Sequence, residues 1–582
     1  MMRTMKQTTR PRPATRTALL TALVMAVVVL FTAAGCASIP TRGPVGKSDP
    51  VGPRNNSVNV DYQRFKPVAG ASPESIIRGF IDSGTGFIDD FQVAREYLTP
   101  GLAQSWAADK RTLVYKNAFS VTAGPEKDSY QVKFDVVATV DSTGVLTPEP
   151  ASRTETIDMK LVLVDGEWRI AENPDGVILL ESIFQTLFTP VSLYFYDPTF
   201  TYGVPDVRWL AGRTSRTTTA IVKAMLAGPA PYLNGAVRSA FPNGISLVRE
   251  SVPVTSGLAK VGLTSALLLE TNVKQRQQMH AQLLVTLQKN LNTVSEVQFL
   301  ADDREVDMGN AADAVPAMVI DNPAPPVQVA LSKNDLVTYD GTKTAPIPGL
   351  RSVADLAPKA PAISYSGKSF AFLDGAGRNL YVATPGTPET IAASGPALTP
   401  PSFAPNGWLW TATGDGSGTV LAVDTNNAGH TPDPVVMSVP WLVGQHVKTL
   451  RISRDGTRAL VISESNGVTR TQITGIFKTG ETPKELTTPI SLIQTGSPTL
   501  GVWVSESSVA VMAPSAAGPV TIEILDLAKP AVELTDLEGA QWLTAGAGAR
   551  NIHAQTATEY FSYVGNSWEP TAKSLHSASF AG

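Results

Sequence analysis

The sequence predicts a multidomain chain, with two α+β domains in series followed by an all-β propeller. Three observations carry this reading. Apolar residues in the first half recur at helical spacing and then switch to strand alternation. The run Asn322-Pro323-Ala324-Pro325-Pro326 marks a boundary beyond which helical spacing disappears. Past it, an apolar strand, a turn closed by glycine and a second strand recur, with Gly367, Gly407 and Gly456 spaced 40 and 49 residues apart.

The chain has 582 residues, 43% hydrophobic and 17% charged, enough for three or four globular domains. Its one cysteine, Cys36, sits in FTAAGCASIP and forms no internal disulfide, so packing alone must hold the domains together. Upstream, residues 1–17 carry Arg3, Lys6, Arg10, Arg12 and Arg16 and no acid, and Ala18 to Ala34 is apolar except for Thr21 and Thr32. A basic start and an apolar run at the lower edge of bilayer length, closed by small residues, predict a secretory signal over 1–35. Small residues before a cysteine resemble the lipobox of bacterial lipoproteins. That resemblance implies cleavage between Gly35 and Cys36 and diacylglycerol on the Cys36 thiol. An ordinary Ala-x-Ala cleavage leaving a free thiol, and an uncleaved anchor, are the competing readings. Each buried methylene of an acyl anchor contributes about 0.8 kcal/mol, and two or three chains hold durably where one does not. The formal charge is −4, and losing the basic start makes the chain more acidic, which disfavours nucleic acid as a partner.

Residues 36–66, rich in proline and glycine (Pro40, Gly43, Pro44, Gly46, Pro50, Gly52, Pro53), read as a flexible tether. About 30 such residues would hold the next domain on the order of 30 Å from the membrane. An extended arm packed on a domain is the alternative.

The first domain spans 67–190. Ser72-Pro73 supplies an N-cap and a first-turn proline ahead of Ile76, Ile77, Phe80 and Ile81 at helical spacing. A second helix is predicted over Phe91 to Leu98, with Leu102 and Trp106 in a third short piece. Val132, Phe134 and Val136 then alternate, as do Ile157, Met159, Leu161 and Leu163, which meet the turn Asp165-Gly166 and return through Trp168 and Ile170. Helices followed by a curled antiparallel sheet resemble the cystatin-like fold of nuclear transport factor 2. No polar cluster marks a pocket, and Trp106 and Trp168 read as core.

The second domain spans 191–322. It opens on the strand VSLYFYDP (191–198), followed by a helix from Thr217 to Ala227 carrying Ile221, Val222, Met225 and Leu226 and stopped by Gly228-Pro229. A long helix from Val273 to Leu291 aligns Met279, Leu283, Leu287 and Leu291 with His280 on its flank, and VSEVQFLADDREV (294–306) closes the unit. Leu226-Ala227-Gly228-Pro229 and Phe241-Pro242-Asn243-Gly244 in this order of elements resemble the sporulation and germination (GerMN) domain. That resemblance implies a binding or assembly module of the cell envelope with no catalytic set.

Residues 327–582 read as a β-propeller of about six blades, the first and last strands pairing to close the ring. A sandwich is the alternative. ISYSGKSFAFL (363–373), PSFAPNGWLWTA (401–412) and LRISRDGTRALVIS (450–463) are its clearest repeats.

The sequence offers little chemistry. His280, His430, His446, His553 and His576 are isolated, so neither zinc nor haem is expected, and no cofactor or metal is assigned. Asp302-Asp303 reads as a solvated turn near a terminal strand rather than an acid and base pair. Asp455 reads as the first residue of an Asp-Gly hairpin turn. No nucleophile elbow or phosphate-cradling loop is present, and the chain does not read as an enzyme.

The order of lipobox, helix-then-sheet domain, GerMN-like domain and propeller resembles the LpqB lipoprotein family of actinobacteria over essentially the whole length. The resemblance implies a protein on the outer face of the cytoplasmic membrane. There it would modulate the extracellular region of the sensor histidine kinase MtrB, which controls the regulator MtrA and cell-wall and division genes. A cell-wall glycan or muropeptide binder is the alternative, with Trp408, Trp410 and Trp441 stacking sugars at the propeller channel.

Overall fold

Ser72 opens the first helix by accepting from Ser75 N at 3.3 Å, Pro73 has no amide to satisfy, and Ile76, Ile77, Phe80 and Ile81 are buried along one face of α1 (Pro73–Asp82). This computed structural model describes residues 64–582 apart from 88, 213–216, 311–313, 427–432, 514–518, 549–550 and 574, and apart from the side chains of 150–152. The signal, Gly35, Cys36, His430 and all of the tether before residue 64 lie outside the described residues. Residues 64–66, read above as the end of the tether, lie on the first domain: Tyr97 Oη donates to Phe65 O at 2.8 Å and Lys66 pairs with Glu96 at 2.8 Å.

α2 (Gln92–Arg95) is shorter than the helix that spacing predicts over Phe91 to Leu98. Phe91 enters it in the left-handed region (φ 57°), and Leu98 leaves it to bridge Ile170, so strand pairing ends the helical run. Thr99 then caps α3 (Pro100–Ser105). The sheet comprises β1 (Arg111–Ala123), β2 (Ser129–Asp141), β3 (Leu146–Val164), β4 (Glu167–Glu172) and β5 (Val177–Leu180), in the order β4-β3-β2-β1-β5. Only the β1/β5 pair is parallel. Register shifts after Val114, Lys116 and Val136 insert bulges, which bend the strands and curl the sheet. Asp165 and Gly166 both take positive φ (53° and 83°), as a two-residue hairpin turn of this hand requires. Trp106 is buried, whereas Trp168 is only half-buried because β4 is an edge strand.

α4 (Glu181–Leu187) leads into the second domain, whose hairpin pairs β6 (Phe188–Tyr196) with β7 (Gly203–Ala211). α5 (Thr217–Leu226) buries Ile221, Val222 and Met225, and Gly228 (φ 94°) follows it. β8 (Val254–Thr255) and β9 (Leu258–Gly262) precede α6 (Ser265–Leu269) and α7 (Val273–Asn290). β10 (Glu296–Ala301) then returns parallel to β9, and β11 (Arg304–Glu305) completes a four-stranded sheet. Asp302 and Asp303 form the turn between β10 and β11, and Asp303 pairs with Arg249 at 2.7 Å on the exposed surface.

β6 pairs with β7 along one edge and bridges Arg238 at Tyr196 on the other, so the rest of that second edge needs partners. α7 supplies them: Thr286 Oγ1 accepts from Tyr194 N at 3.0 Å, while Asn290 accepts from Ser192 N at 2.9 Å and donates to Ser192 O at 2.8 Å. The segment before the proline-rich boundary is also docked, with Met318 buried and Val319 bridging Tyr202.

Beyond it, the described residues form six sheets of at least four strands each. Their inner strands, His576–Ser579, Lys359–Ile363, Ser402–Phe403, His446–Ile452, Leu500–Trp503 and Trp542–Ala545, touch in that order around a closed ring. The first blade draws its three outer strands from Gln328–Ser332, Asp335–Tyr339 and Thr344–Pro346 and its inner strand from the far end of the sequence, with Val329 opposite Ser579 and Leu331 opposite His576. Gly367, Gly407 and Gly456 take φ of 69°, 84° and 72° in equivalent turns, each amide bonded to the carbonyl three residues back. That left-handed conformation is why glycine recurs there.

Candidate functional site

The tryptophans weighed for sugar stacking are structural. Trp408 and Trp410 are buried in the third blade, and Trp441 packs against the same apolar cluster with its Nε1 donating to Leu486 O at 3.4 Å. Alternation along the strand sends Trp408 and Trp410 to one face, and that face meets the fourth blade rather than solvent.

At the propeller axis, Tyr365, Arg451, Arg454, Trp503 and Phe580 line a cavity of only about 30 Å³, which is room for no more than a few waters. Arg451 Nη1 donates to Pro401 O at 2.5 Å and Trp503 Nε1 donates to Arg451 O at 3.0 Å. Burial pushes the Arg451 pKa down to about 10 and lowers that of Arg454. Arg454 binds the backbone carbonyls of Trp503 and Gly546, so it ties the fourth, fifth and sixth blades together across the axis.

The densest polar chemistry lies at the junction between the second domain and the propeller. Asp206 and Arg208 alternate with apolar neighbours along β7 and form a buried pair at 2.6 Å. Asp206 also accepts from Ala230 N at 2.7 Å, and Arg208 donates to Gly228 O at 3.1 Å and, in the first domain, to Thr143 O at 2.7 Å. Burial works against the Arg208 charge, but Asp206 outweighs it and holds the pKa up.

On the propeller side, Asp455 and Arg458 form a second buried pair at 2.6 Å. Asp455 does close its turn, accepting from Thr457 N at 2.9 Å, and it is equally the counter-ion of Arg458. Burial would raise the Asp455 pKa; the Arg458 charge and the turn hydrogen bonds prevail and hold it below the ordinary value. Arg458 also donates to Glu506 O at 2.7 Å and lies 5.0 Å over the Trp503 ring.

Tyr232 sits fully buried among these charges, its pKa raised chiefly by burial. Tyr194 Oη donates to Glu506 Oε1 at 2.6 Å across the junction, and Thr487 Oγ1 donates to Tyr232 O. A Cβ on Gly475 would lie 2.6 Å from Tyr232 O, so glycine there permits the close approach. Apolar packing follows the same path: Leu193, Val222 and Leu283 share one buried cluster with Leu460, Ile462 and Val509 of the propeller. The junction is thus a continuous core carrying two buried ion pairs.

The described histidines are held by hydrogen bonds at separate places in the fold, and His446 and His576 are exposed. His280 Nε2 contacts Val297 O at 3.1 Å, His446 Nδ1 contacts Gly414 O at 2.9 Å, and His576 Nδ1 contacts Gln555 Nε2 at 3.0 Å. Burial lowers the His280 pKa. Among the described residues, no group of three His, Cys, Asp or Glu is placed to hold a metal, and no helix is long and apolar enough to cross a membrane. Sequence reasoning missed Asp206, Arg208 and Arg458. Two charges inside the otherwise apolar strand VPDVRWLA were the available signal.

Fold and junction together define a multidomain β-propeller protein in which a GerMN-type domain is fused into the side of the ring. Three family models match in series: the Lipoprotein LpqB N-terminal domain over residues 66–185, the sporulation and spore germination domain over 192–307, and the Lipoprotein LpqB beta-propeller domain over 334–578. The chain belongs to the LpqB lipoprotein family. Lipoprotein LpqB of Rhodococcus opacus (strain B4) is 28% identical over 571 residues, covering 92% of this chain and 91% of the relative. That of Rhodococcus jostii (strain RHA1) is 28% identical over 585 residues, covering 94% and 93%. Among solved structures, TolB from Acinetobacter baumannii aligns with 44% of this chain and 66% of its own at 15% identity, with a TM-score of 0.33.

Proposed function

We propose that this protein is anchored through lipid on Cys36 at the outer face of the cytoplasmic membrane and modulates an MtrB-like sensor histidine kinase by binding its extracytoplasmic region. On this reading it is a non-catalytic partner of a two-component system governing the cell wall and division. The observation that carries it is the fused junction. Buried pairs and one continuous core make the second domain and the propeller a rigid platform, which suits a protein that presents fixed surfaces to a partner. Family membership supports the anchor, since the family is named for lipoproteins.

Lipid would confine both proteins to one membrane and raise their effective concentration. Binding then shifts the kinase only to the extent that affinity differs between its signalling states. The glycan-binding alternative loses support, because Trp408 and Trp410 are buried. A membrane crosslinking pull-down comparing wild type with Cys36→Ala tests the proposal. A sensor kinase recovered with wild type and lost with the variant is the expected result. Recovery of wall fragments or wall enzymes alone overturns it.

A further inference from the structure

A cavity of about 520 Å³ lies where the first domain, the β6/β7 hairpin and the fourth and fifth blades meet. Its volume falls in the range in which proteins hold small organic ligands. The walls are chiefly apolar, with Val114 and Leu146 from the first sheet, Phe184 from α4, Trp209 from β7, and Leu492 and Leu525 from the propeller. The Trp209 indole contributes to this wall, and Gln185 and Ser491 are uncharged polar residues of the lining. Among the described residues, the charged ones in the lining are Glu181, Asp526 and Lys529, two carboxylates against one ammonium.

We propose that this cavity binds the acyl chain of an uncharged amphiphile, of which a glycerol ester is the type. The volume and apolar walls suit a flexible hydrocarbon, since affinity there grows with buried methylenes. The acidic balance of the lining opposes a free carboxylate headgroup, because like charges repel most strongly near a low-dielectric wall. An uncharged ester meets both conditions, whereas a fatty acid meets only the first. The site lies away from the propeller axis, and its assignment does not depend on the kinase reading.

The test labels the full-length protein in lipid nanodiscs with a photoactivatable, alkyne-bearing monoacylglycerol and maps the crosslinked peptides by mass spectrometry. Unlabelled monoacylglycerols of increasing chain length serve as competitors. Crosslinks are expected on the peptides holding Leu146, Trp209 and Leu492. Competition should strengthen about fourfold per methylene and level off once the cavity is full. Ala528→Trp, at a half-buried lining position on a loop, should abolish the cavity crosslinks without touching a core. Crosslinks scattered over the surface and indifferent to Ala528→Trp, or competition without a chain-length limit, overturn the site. A fatty acid competing as well as the ester of equal length overturns the uncharged headgroup.

Discussion

His553 has both ring nitrogens engaged, Nε2 with Asn551 Oδ1 at 2.7 Å and Nδ1 with Ser562 Oγ at 2.8 Å, and its ring stacks on Tyr560 at 5.3 Å. Burial pushes its pKa down to about 4. An unfolded histidine titrates near 6.5. Between these values the unfolded chain holds a proton that the folded chain does not, so stability is complete above about pH 6.5 and falls as pH drops toward 4. The loss is about 2 kcal/mol by pH 5 and about 3 kcal/mol at most. In denaturant titrations, His553→Gln should therefore lose about 2 kcal/mol less than wild type between pH 7 and pH 5. Equal losses in the two proteins would show that the ring is charged or exposed in the fold. The burial of His553 was not legible beforehand, since a histidine lone in sequence looks the same whether buried or wet. Asp455 shows the same limit: its turn role follows from the adjacent Gly456, but its counter-ion role follows only from the fold.

At the scale of elements, the stripe of Met279, Leu283 and Leu287 predicts α7 to within one residue of its observed end, and all three are buried. The same periodicity is silent about Gln282 and Thr286, which are equally buried. Their partners are backbone groups far away in sequence: Gln282 Oε1 accepts from Ala240 N at 2.8 Å and Thr286 Oγ1 accepts from Tyr194 N at 3.0 Å. An apolar stripe shows which way a helix faces, and polar groups that finish a strand edge are invisible until the strand is placed. Thr286→Val preserves shape but leaves the Tyr194 amide unpaired in the core. It should cost about 1–3 kcal/mol in unfolding free energy. A cost under a few tenths of a kcal/mol would mean that the β6 edge finds another partner. The large cavity was illegible for a related reason, because each contributing segment read alone looks like ordinary core.

For the whole molecule, fold class followed from changes of period along the chain, whereas the coupling between domains did not, because its residues lie hundreds of positions apart, as Tyr194 and Glu506 do. That coupling has a measurable consequence. Ile221 belongs to α5 of the second domain, yet its buried cluster runs without a break into Leu460, Ile462 and Val509 of the propeller. If second domain and propeller were separable, weakening one would leave the other's opening free energy unchanged. With one core, opening either exposes the same apolar surface, so both should share one cooperative transition. Ile221→Ala leaves a cavity at a fully buried position and should cost about 2–5 kcal/mol. Hydrogen exchange read by mass spectrometry should then show amides of α7 and of the fourth-blade strand Arg458–Ser465 losing protection by the same factor, on the order of thirtyfold or more. Exchange that quickens in α7 while Arg458–Ser465 keeps its wild-type protection would show two independent units. The rigid platform on which the kinase proposal rests would then be lost.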